Sequence, residues 1–306
     1  MQNTSIGIIG MGWVGASVAI STLQQGIATQ LLVNDLQTDI AEGEAMDLTH
    51  GASFFPSAEV RAASVSDMRQ CQAIVITAGR GGSPEETRLQ LLKDNVAIAR
   101  SLSEQLRGYE GLLIIVSNPV DVLTYFYQKY TGLPAQRVIG TGTFLDTVRL
   151  REMVGQKINL APHNVHAQVL GEHGDSELVH WSRAMVGGRS LRSWPGWNSA
   201  YEEELESAVR NAAYEIIRRK GATNHAIGLL TAALLRSLLR DERRIIPLST
   251  VIDGPFGLRQ VALSLPALVT RRGIERLWEP ELEPRERERF LASAQVLREA
   301  IQSVQT

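Results

Sequence analysis

The chain contains one cysteine, no strong excess of either charge and no long apolar run. The single cysteine, Cys71, excludes a disulfide within one chain, so we expect a reducing compartment such as the cytoplasm. The formal net charge is -2 and basic residues are spread throughout, which argues against nucleic acid or an anionic membrane as a partner. No stretch approaches the length of a membrane span, and the N-terminus lacks the pattern of a signal peptide.

The remaining composition is that of an ordinary globular protein. Of the 306 residues, 44% are hydrophobic and 21% are charged, which is enough for a large core. The sequence shows no internal repeat and no low-complexity linker, and we predict no metal site. Strands alternate with helices over the first part of the chain, and the pattern then changes. We therefore predict two domains, residues 1–140 and residues 141–306.

A glycine-rich turn stands between the first predicted strand and the first predicted helix. Ser5 to Ile9 is followed by Gly10, Gly12 and Gly15 in the spacing G-x-G-x-x-G. The first glycine allows a tight turn, the second lets a pyrophosphate approach the backbone, and the third lets helix and strand pack closely. Asp35 ends the next strand, where a carboxylate accepts hydrogen bonds from an adenosine ribose and repels a 2′-phosphate. The pattern predicts a dinucleotide site that prefers NAD to NADP.

Two further strands are predicted in the first half, at Ala73 to Thr77 and at Leu112 to Val116. Asn118 follows the second strand, where its side chain either binds a ligand or forms a turn before proline. The alternation of strands and helices predicts an α/β fold with a doubly wound parallel sheet. In the second half, Ile245 to Val251 and Gln260 to Pro266 predict antiparallel strands, so we expect a C-terminal α+β domain.

A histidine on a glycine-flanked turn is the most distinctive feature of the second half. His173 lies within Gly171 to Ser176, which follows an apolar run, Val165 to Leu170, that predicts a buried strand. Histidine transfers protons near neutral pH, although a lone turn histidine is more often structural. Asp146 and Arg149 share one face of a predicted helix, and such a pair is usually a surface ion pair.

An arginine follows a glycine-containing loop in the first half. The loop, Arg80 to Glu86, contains Gly81, Gly82 and Pro84 and leads to Arg88 at the start of a helix. An arginine beyond a mobile loop can fold over a bound substrate. The alternative for Arg88 is a solvated side chain in the first turn of its helix.

Together these segments resemble the NAD-dependent L-lactate/malate dehydrogenase family over essentially the whole chain. The resemblance is carried by GMGWVG, PEETRL, SNPVDVLTY, GTGTFLDTVRLR, GEHGDS and KGATNHAIG, and by DGPFGL near residues 253–258. It implies an N-terminal Rossmann domain that binds NAD and a C-terminal catalytic domain. The implied reaction interconverts a 2-keto acid and an L-2-hydroxy acid, with pyruvate and L-lactate favoured as in the bacterial L-lactate dehydrogenases.

The resemblance also implies roles for single residues. His173 is the implied proton donor and acceptor, and Asp146 the carboxylate that fixes its tautomer. Arg149 is implied to bind the substrate carboxylate, and Arg88 to stabilise charge on the carbonyl oxygen. Further substrate contacts are implied for Asn118, Thr223 and Gly82, and NAD contacts for Gly10, Gly12, Val14, Gly15, Asp35, Ala78, Gly79, Asn95, Ser117 and Asn118.

Gly82 departs from the family pattern at the loop position that selects the substrate. Lactate dehydrogenases resemble one another in having glutamine there, and malate dehydrogenases have arginine. Glycine provides neither group and leaves space, so a broad-specificity L-2-hydroxy acid dehydrogenase is an alternative. Malate dehydrogenase is a second alternative, because Arg80 lies two residues earlier and could reach a second carboxylate.

Arg151 and His166 match a basic pair that binds fructose 1,6-bisphosphate across a subunit interface in regulated bacterial lactate dehydrogenases. An exposed helix arginine and an ordinary strand histidine are an equally good interpretation. The resemblance also implies a homo-oligomer, either a dimer or a tetramer.

Two alternatives come from other functional classes. A non-catalytic dinucleotide sensor would lack part of the His173, Asp146 and Arg149 set, and all three residues are present. The second alternative is another NAD enzyme, such as a related glycosidase or a D-hydroxy-acid dehydrogenase. The D-specific enzymes place the glycine motif in mid-chain, whereas here it starts at Gly10.

Overall fold

The computed structural model describes residues 4–81 and 86–305, which form eight α-helices and fourteen β-strands. The helices are α1 (Trp13–Gln24), α2 (Thr38–His50), α3 (Arg88–Gln105), α4 (Val120–Thr131), α5 (Phe144–Ile158), α6 (Ser199–Lys220), α7 (His225–Leu239) and α8 (Pro284–Gln305). The strands are β1 (Ser5–Ile9), β2 (Gln30–Asn34), β3 (Glu59–Ala62), β4 (Ala73–Ile76), β5 (Leu112–Ile115), β6 (Val138–Gly140), β7 (Val165–His166), β8 (Val169–Leu170), β9 (Leu178–Val179), β10 (Met185–Val186), β11 (Arg189–Ser190), β12 (Ile245–Asp253), β13 (Arg259–Thr270) and β14 (Gly273–Leu277).

The predicted doubly wound parallel sheet is confirmed. Six parallel strands run in the order β3-β2-β1-β4-β5-β6 within a nine-stranded sheet. After β1, the chain adds β2 and β3 on one side of that strand. It then crosses back and adds β4, β5 and β6 on the other side. In sheets of this kind, ligands bind outside the carboxyl ends of the strands at such a reversal of strand order. The glycine-rich turn follows β1 directly and so lies at that point.

The sheet is apolar on both faces because helices cover both. Ile6 and Ile8 of β1 pack in a core with α1 and α7, while Ile74 and Ile76 of β4 pack in a second core with α3, α4 and α8. All four side chains are fully or almost fully buried. A central strand with both faces buried reads as a continuous apolar run, which is why these strands were predictable from the sequence.

The second half adds an antiparallel extension to the same sheet. β12 pairs with β13, and β13 with β14, in antiparallel register. Ser249 of β12 pairs with Gly140 of β6, so these strands continue the first sheet instead of forming a separate one. A third core lies beneath α5 and α6 and includes Leu150, Trp181 and Val209.

The prediction of one buried strand from Val165 to Leu170 is wrong. The run forms two short strands in different sheets, since β7 pairs with β10 and β8 pairs with β9. Between them the carbonyl of Ala167 accepts from Arg151 Nε at 2.9 Å, and that of Gln168 accepts from the His180 amide at 2.9 Å. The backbone carbonyls between β7 and β8 are therefore hydrogen-bonded to other segments, and the chain passes from one sheet to another at this point.

The two halves of the chain also meet through helices. α1 packs on α7, and a Cβ on Gly228 of α7 would lie 2.7 Å from the backbone of Ser17. The absence of a side chain at Gly228 thus lets α7 lie directly on the helix that follows the glycine turn. Within the described ranges, no helix is long and apolar enough to cross a membrane.

Candidate active site

The loop that contains His173 is anchored on two neighbouring elements. Gly171 has a positive φ of 86° and exchanges backbone hydrogen bonds with Ser264 of β13. A Cβ at Gly171 would lie 2.7 Å from Ser293 Oγ on α8, so this position requires glycine. The same Ser293 hydroxyl accepts a hydrogen bond of 2.7 Å from the Glu172 amide. The backbone on the N-terminal side of His173 is therefore fixed.

A buried carboxylate that the sequence reasoning missed holds the backbone of His173 itself. Asp121, in the first turn of α4, is 2% exposed, and its Oδ2 accepts a hydrogen bond of 2.7 Å from the His173 amide. Burial raises the pKa of Asp121 to about 6, and the hydrogen bond from the His173 amide opposes that rise. The only signal in the sequence was an aspartate within the otherwise apolar helix of SNPVDVLTY.

The structure brings His173, Asp146 and Arg149 together. His173 Nδ1 lies 2.6 Å from Asp146 Oδ2, and Arg149 Nη1 donates to Asp146 Oδ1 at 3.1 Å. The Asp146 side chain is 3% exposed and that of Arg149 is 11% exposed, so this pair is buried and not the surface ion pair that its spacing usually gives. α5 supplies the carboxylate and the arginine from one face, because they are three residues apart.

The environment of His173 favours its protonated form. Burial of the ring lowers its pKa, but the charge and hydrogen bond of Asp146, followed by Asp121 and Glu177, more than offset this and raise the pKa to about 9. The side chain is 23% exposed, and within the described part of the chain its Nε2 makes no hydrogen bond. An imidazolium whose Nδ1 is held by a carboxylate can present its Nε2–H to a ligand that reaches the exposed part of the ring.

The turn after β1 has the shape that a pyrophosphate needs. Gly10 has a φ of 101°, and a Cβ there would lie 2.5 Å from the Ala78 amide nitrogen. A Cβ on Gly15 would collide with the Gly10 carbonyl, whereas one on Gly12 would meet nothing within 4 Å. Gly12 is the N-cap of α1, and no side chain of the described residues caps the helix. The free amides and the space beside Gly12 fit a phosphate at the helix N-terminus.

Asp35 lies beside this turn. Its Oδ2 accepts a hydrogen bond of 2.7 Å from the Met11 amide, and its Oδ1 one of 3.0 Å from the Gln37 amide. The half-buried carboxylate is thereby placed at the carboxyl end of β2, next to the glycine turn. This geometry fits an adenosine ribose bound on the carboxylate, and Val14 lies half-buried in the first turn of α1.

The other predicted cofactor residues form a connected rim at the ends of β4 and β5. Ser117 Oγ donates to the Ala78 carbonyl at 2.6 Å, and Asn95 Oδ1 accepts from the Arg80 amide at 2.9 Å. Asn95 Nδ2 also lies 3.4 Å from the carbonyl of Asn118. Gly79 sits among them, since a Cβ there would lie 3.2 Å from Asn95 Oδ1.

The other described residues predicted to bind the substrate make no hydrogen bond or ion pair with His173, Asp146 or Arg149 within the described ranges. The Arg88 side chain is 92% exposed, and it pairs with Asp175, with Nη1 and Oδ2 4.0 Å apart. Asp175 belongs to the His173 loop, so Arg88 lies beside that loop. Thr223 is half-buried between α6 and α7, and the exposed Asn118 contributes its backbone to the rim. Gly82 lies outside the described residues.

Arg80 forms ion pairs with two carboxylates. Its guanidinium bonds Glu86 through two contacts, of 2.7 and 3.2 Å, and it also bonds Asp94. The Glu86 side chain is only 12% exposed. These contacts compete with a role for Arg80 towards a substrate.

Arg151 and His166, the two residues predicted to bind phosphate, are close to each other in one patch along the surface of the second half. Arg151 donates to the carbonyl of Ala167, which follows the exposed His166 directly. Burial lowers the pKa of Arg151, and the nearby Arg244 guanidinium lowers it further. The patch therefore carries two arginines close enough to repel each other.

Comparison with known proteins identifies the family. Residues 4–140 match the NAD binding domain of lactate/malate dehydrogenase, and residues 143–306 match the alpha/beta C-terminal domain of the same family. The L-lactate dehydrogenase of Bacillus caldolyticus is 42% identical, with 97% of this chain and 96% of that protein aligned. The L-lactate dehydrogenase of Synechococcus sp. (strain JA-3-3Ab) is 41% identical, over 97% and 98% of the two chains.

Two solved structures have the same fold over the whole chain. A lactate dehydrogenase from a Medee basin deep-sea metagenome library has a TM-score of 0.96, with 38% identity and 100% coverage of both chains. The minor L-lactate dehydrogenase of Enterococcus mundtii, in its ligands-bound form, has a TM-score of 0.96, with 34% identity and 99% coverage of both chains. Together with the two matched domains, these relatives show that the chain belongs to the lactate/malate dehydrogenase family of NAD-binding oxidoreductases.

Proposed function

We propose that the protein interconverts pyruvate and L-lactate with NAD as the hydride carrier. The observation that carries the proposal is the buried carboxylate of Asp146, which holds His173 Nδ1 at 2.6 Å and the Arg149 guanidinium at 3.1 Å. A proton donor and a cation for a substrate carboxylate are thereby fixed on one buried side chain. The relatives named L-lactate dehydrogenase support pyruvate and L-lactate as the pair.

Each residue has a defined part in this reaction. NADH, when bound along the glycine turn and Asp35, supplies a hydride for the carbonyl carbon. Arg149 offers a planar fork to the substrate carboxylate, which fixes the keto group next to His173. His173 Nε2–H donates to the carbonyl oxygen and gives up its proton as the alkoxide forms, while Asp146 stabilises the imidazolium beforehand. Arg88, beside the His173 loop, adds positive charge when it folds inward.

The structure supports lactate over malate as the product. The malate alternative needs a cation for the second carboxylate of oxaloacetate, and Arg80 was the candidate. Arg80 is bound by Glu86 and Asp94, so moving it to the substrate would break both of these ion pairs. Gly82 adds no charge at the specificity position, and larger apolar 2-keto acids are therefore expected as secondary substrates.

A substrate series tests the proposed function. NADH absorbance is followed with pyruvate, 2-ketobutyrate, phenylpyruvate and oxaloacetate, and the product from pyruvate is resolved into L- and D-lactate. We expect the highest kcat/KM among pyruvate and its apolar homologues, and L-lactate as the product. Oxaloacetate as the strongly preferred substrate, with the preference lost in Arg80→Ala, would establish a malate dehydrogenase instead.

We further propose that fructose 1,6-bisphosphate binds at Arg151 and His166. Support comes from the position of both residues on one patch, with Arg244 close to Arg151. Clustered guanidiniums are suited to phosphate. The pyruvate saturation curve, measured with and without the sugar phosphate in wild type and Arg151→Gln, tests this. No change of the wild-type curve would rule it out.

The expected homo-oligomer, cytoplasmic location and domain division also stand as proposals. Large apolar side chains are exposed on α1, α2 and α7, including Ile20, Met46 and Leu229, and such surfaces suit a subunit interface. The buried free thiol of Cys71 is consistent with a reducing compartment. The matched family domains support a division near residue 140, although the sheet itself continues across it.

A further inference from the structure

A second carboxyl that the mechanism does not use lies beneath the His173 loop. Glu177 immediately precedes β9 and is 2% exposed. Its Oε1 is buried and has no hydrogen-bond partner among the described residues. Leaving a buried carboxyl oxygen unpaired is unfavourable, so Glu177 calls for an explanation.

Glu177 faces the proton-transfer couple. A carboxyl oxygen of Glu177, a carboxylate oxygen of Asp146 and a ring nitrogen of His173 all lie within 4.8 Å of one another. Arg149 is the other charged group of α5 on this side, bonded to Asp146. Asp121 of α4 is a further carboxylate beside His173 and accepts a hydrogen bond from the His173 amide.

The far side of Glu177 is closed by charged residues of α6 and α8. Arg210 of α6 lowers the pKa of Glu177, and its own Nε is buried without a hydrogen-bond partner in the described structure. Arg289 of α8 donates to the Glu177 carbonyl at 3.0 Å and bonds Glu206 of α6, which also accepts from Arg210 at 3.3 Å. The Glu177 side chain is therefore enclosed between this network and the His173–Asp146 couple.

The surroundings keep Glu177 uncharged at neutral pH. Burial, followed by the negative charge of Asp146, raises its pKa to about 8, while His173, Arg210 and Arg149 oppose the rise. Near neutral pH, Glu177 therefore adds no charge beside the Asp146 carboxylate and the His173 imidazolium. Its negative charge appears only in alkaline solution.

We propose that Glu177 is a positioning residue of the reaction described under Proposed function, on which this inference rests: its carboxylate, held within 4.8 Å of the His173 ring and of Asp146, keeps His173 protonated in alkaline solution. A negative charge within about 4–6 Å of an imidazolium raises its proton affinity, by about one pKa unit or more. Ionisation of Glu177 therefore delays the loss of the His173 proton as the pH rises. The proton of Glu177 is not transferred to the substrate.

The test compares Glu177→Gln with wild type across pH. The amide keeps the size of the side chain but cannot ionise. We expect kcat/KM for pyruvate within about twofold of wild type near pH 7, and an alkaline limb displaced about one pH unit downward. Glu203→Gln, an exposed change on α6, is the matched control and should leave the profile unchanged. A Glu177→Gln profile that superimposes on wild type would overturn the inference.

A measurement without turnover separates this inference from the proposed function. Histidine-selective NMR of the free enzyme reports the pKa of His173 directly, and it should fall by about one pKa unit in Glu177→Gln. Absence of pyruvate reduction in the wild type would defeat the proposed function while leaving this titration informative. If Glu177→Gln does not fold, infrared spectroscopy of the wild type replaces it. A protonated carboxyl band that disappears near pH 8 supports the inference, and its absence at neutral pH overturns it.

Discussion

Replacement of Asp146 by asparagine should change the pH dependence of catalysis more than the fold. Asparagine keeps an oxygen for Arg149 Nη1, now 3.1 Å from Oδ1, but removes the negative charge that lies 2.6 Å from His173 Nδ1. The amide also offers a donor to that ring nitrogen, and so favours neutral imidazole over imidazolium. The His173 pKa should therefore fall.

The size of the effect follows from the pKa of His173. Its rise from 6.5 to about 9 corresponds to about 3 kcal/mol in favour of the imidazolium. Without Asp146, burial lowers the pKa and only the weaker effects of Asp121 and Glu177 raise it, so we expect a pKa near about 6.5. The protonated fraction then falls about tenfold at pH 7.5 and about 100-fold at pH 8.5, and kcat/KM for pyruvate falls with it.

The assay is the pH profile of kcat/KM for pyruvate in wild type, Asp146→Asn and Asp253→Asn. Asp253 is a matched control, because its side chain is 77% exposed and pairs with Arg259 at the surface. Thermal unfolding of the three proteins shows whether the fold is intact. An Asp146→Asn enzyme that is folded, and whose alkaline limb coincides with that of wild type, would refute the assignment of Asp146 as the source of the raised pKa.

Three further predictions concern cofactor and substrate. Asp35, which holds the Met11 amide at 2.7 Å, should make kcat/KM for NADH at least about tenfold higher than for NADPH, and Asp35→Ser should narrow this ratio. Arg149→Lys should raise KM for pyruvate by about tenfold or more, because an ammonium cannot replace a planar fork; an unchanged KM would remove Arg149 from the site. Gly82→Arg should shift preference towards oxaloacetate, measured as the ratio of kcat/KM for oxaloacetate to pyruvate, whereas Arg80→Ala should leave that ratio unchanged.

The sequence predicted those parts of the fold in which local pattern and burial agree. β1, β4 and β5 are apolar runs followed by turns, and each is a central strand of the sheet. β3 was not predicted, because it is a short edge strand with alternating exposure and a composition like that of a loop. The run from Val165 to Leu170 was misassigned as one strand. Its apolar residues indicate that the segment is buried, but they do not indicate which strands it pairs with.

The candidate site was predictable to the extent that its residues sit in distinctive motifs. His173 lies on a glycine-flanked turn, and Asp146 and Arg149 share a helix face. The contact between His173 and Asp146, which are 27 residues apart, followed only from the family resemblance. Asp121 and Glu177 were missed, because an aspartate among apolar residues and a glutamate after the His173 turn do not by themselves show that folding buries them beside His173. Their roles arise from tertiary packing, which a single sequence does not display.

The central claim is that His173 delivers the proton when NADH reduces pyruvate. The most direct measurement is a single turnover, in which enzyme preloaded with NADH is mixed with pyruvate and NADH loss is followed in wild type and His173→Gln. We expect both proteins to bind NADH, because the proposed cofactor site lies along β1, β2 and β4, and we expect hydride transfer to be slowed at least about 100-fold in His173→Gln. Near-normal hydride transfer in the variant would contradict the account.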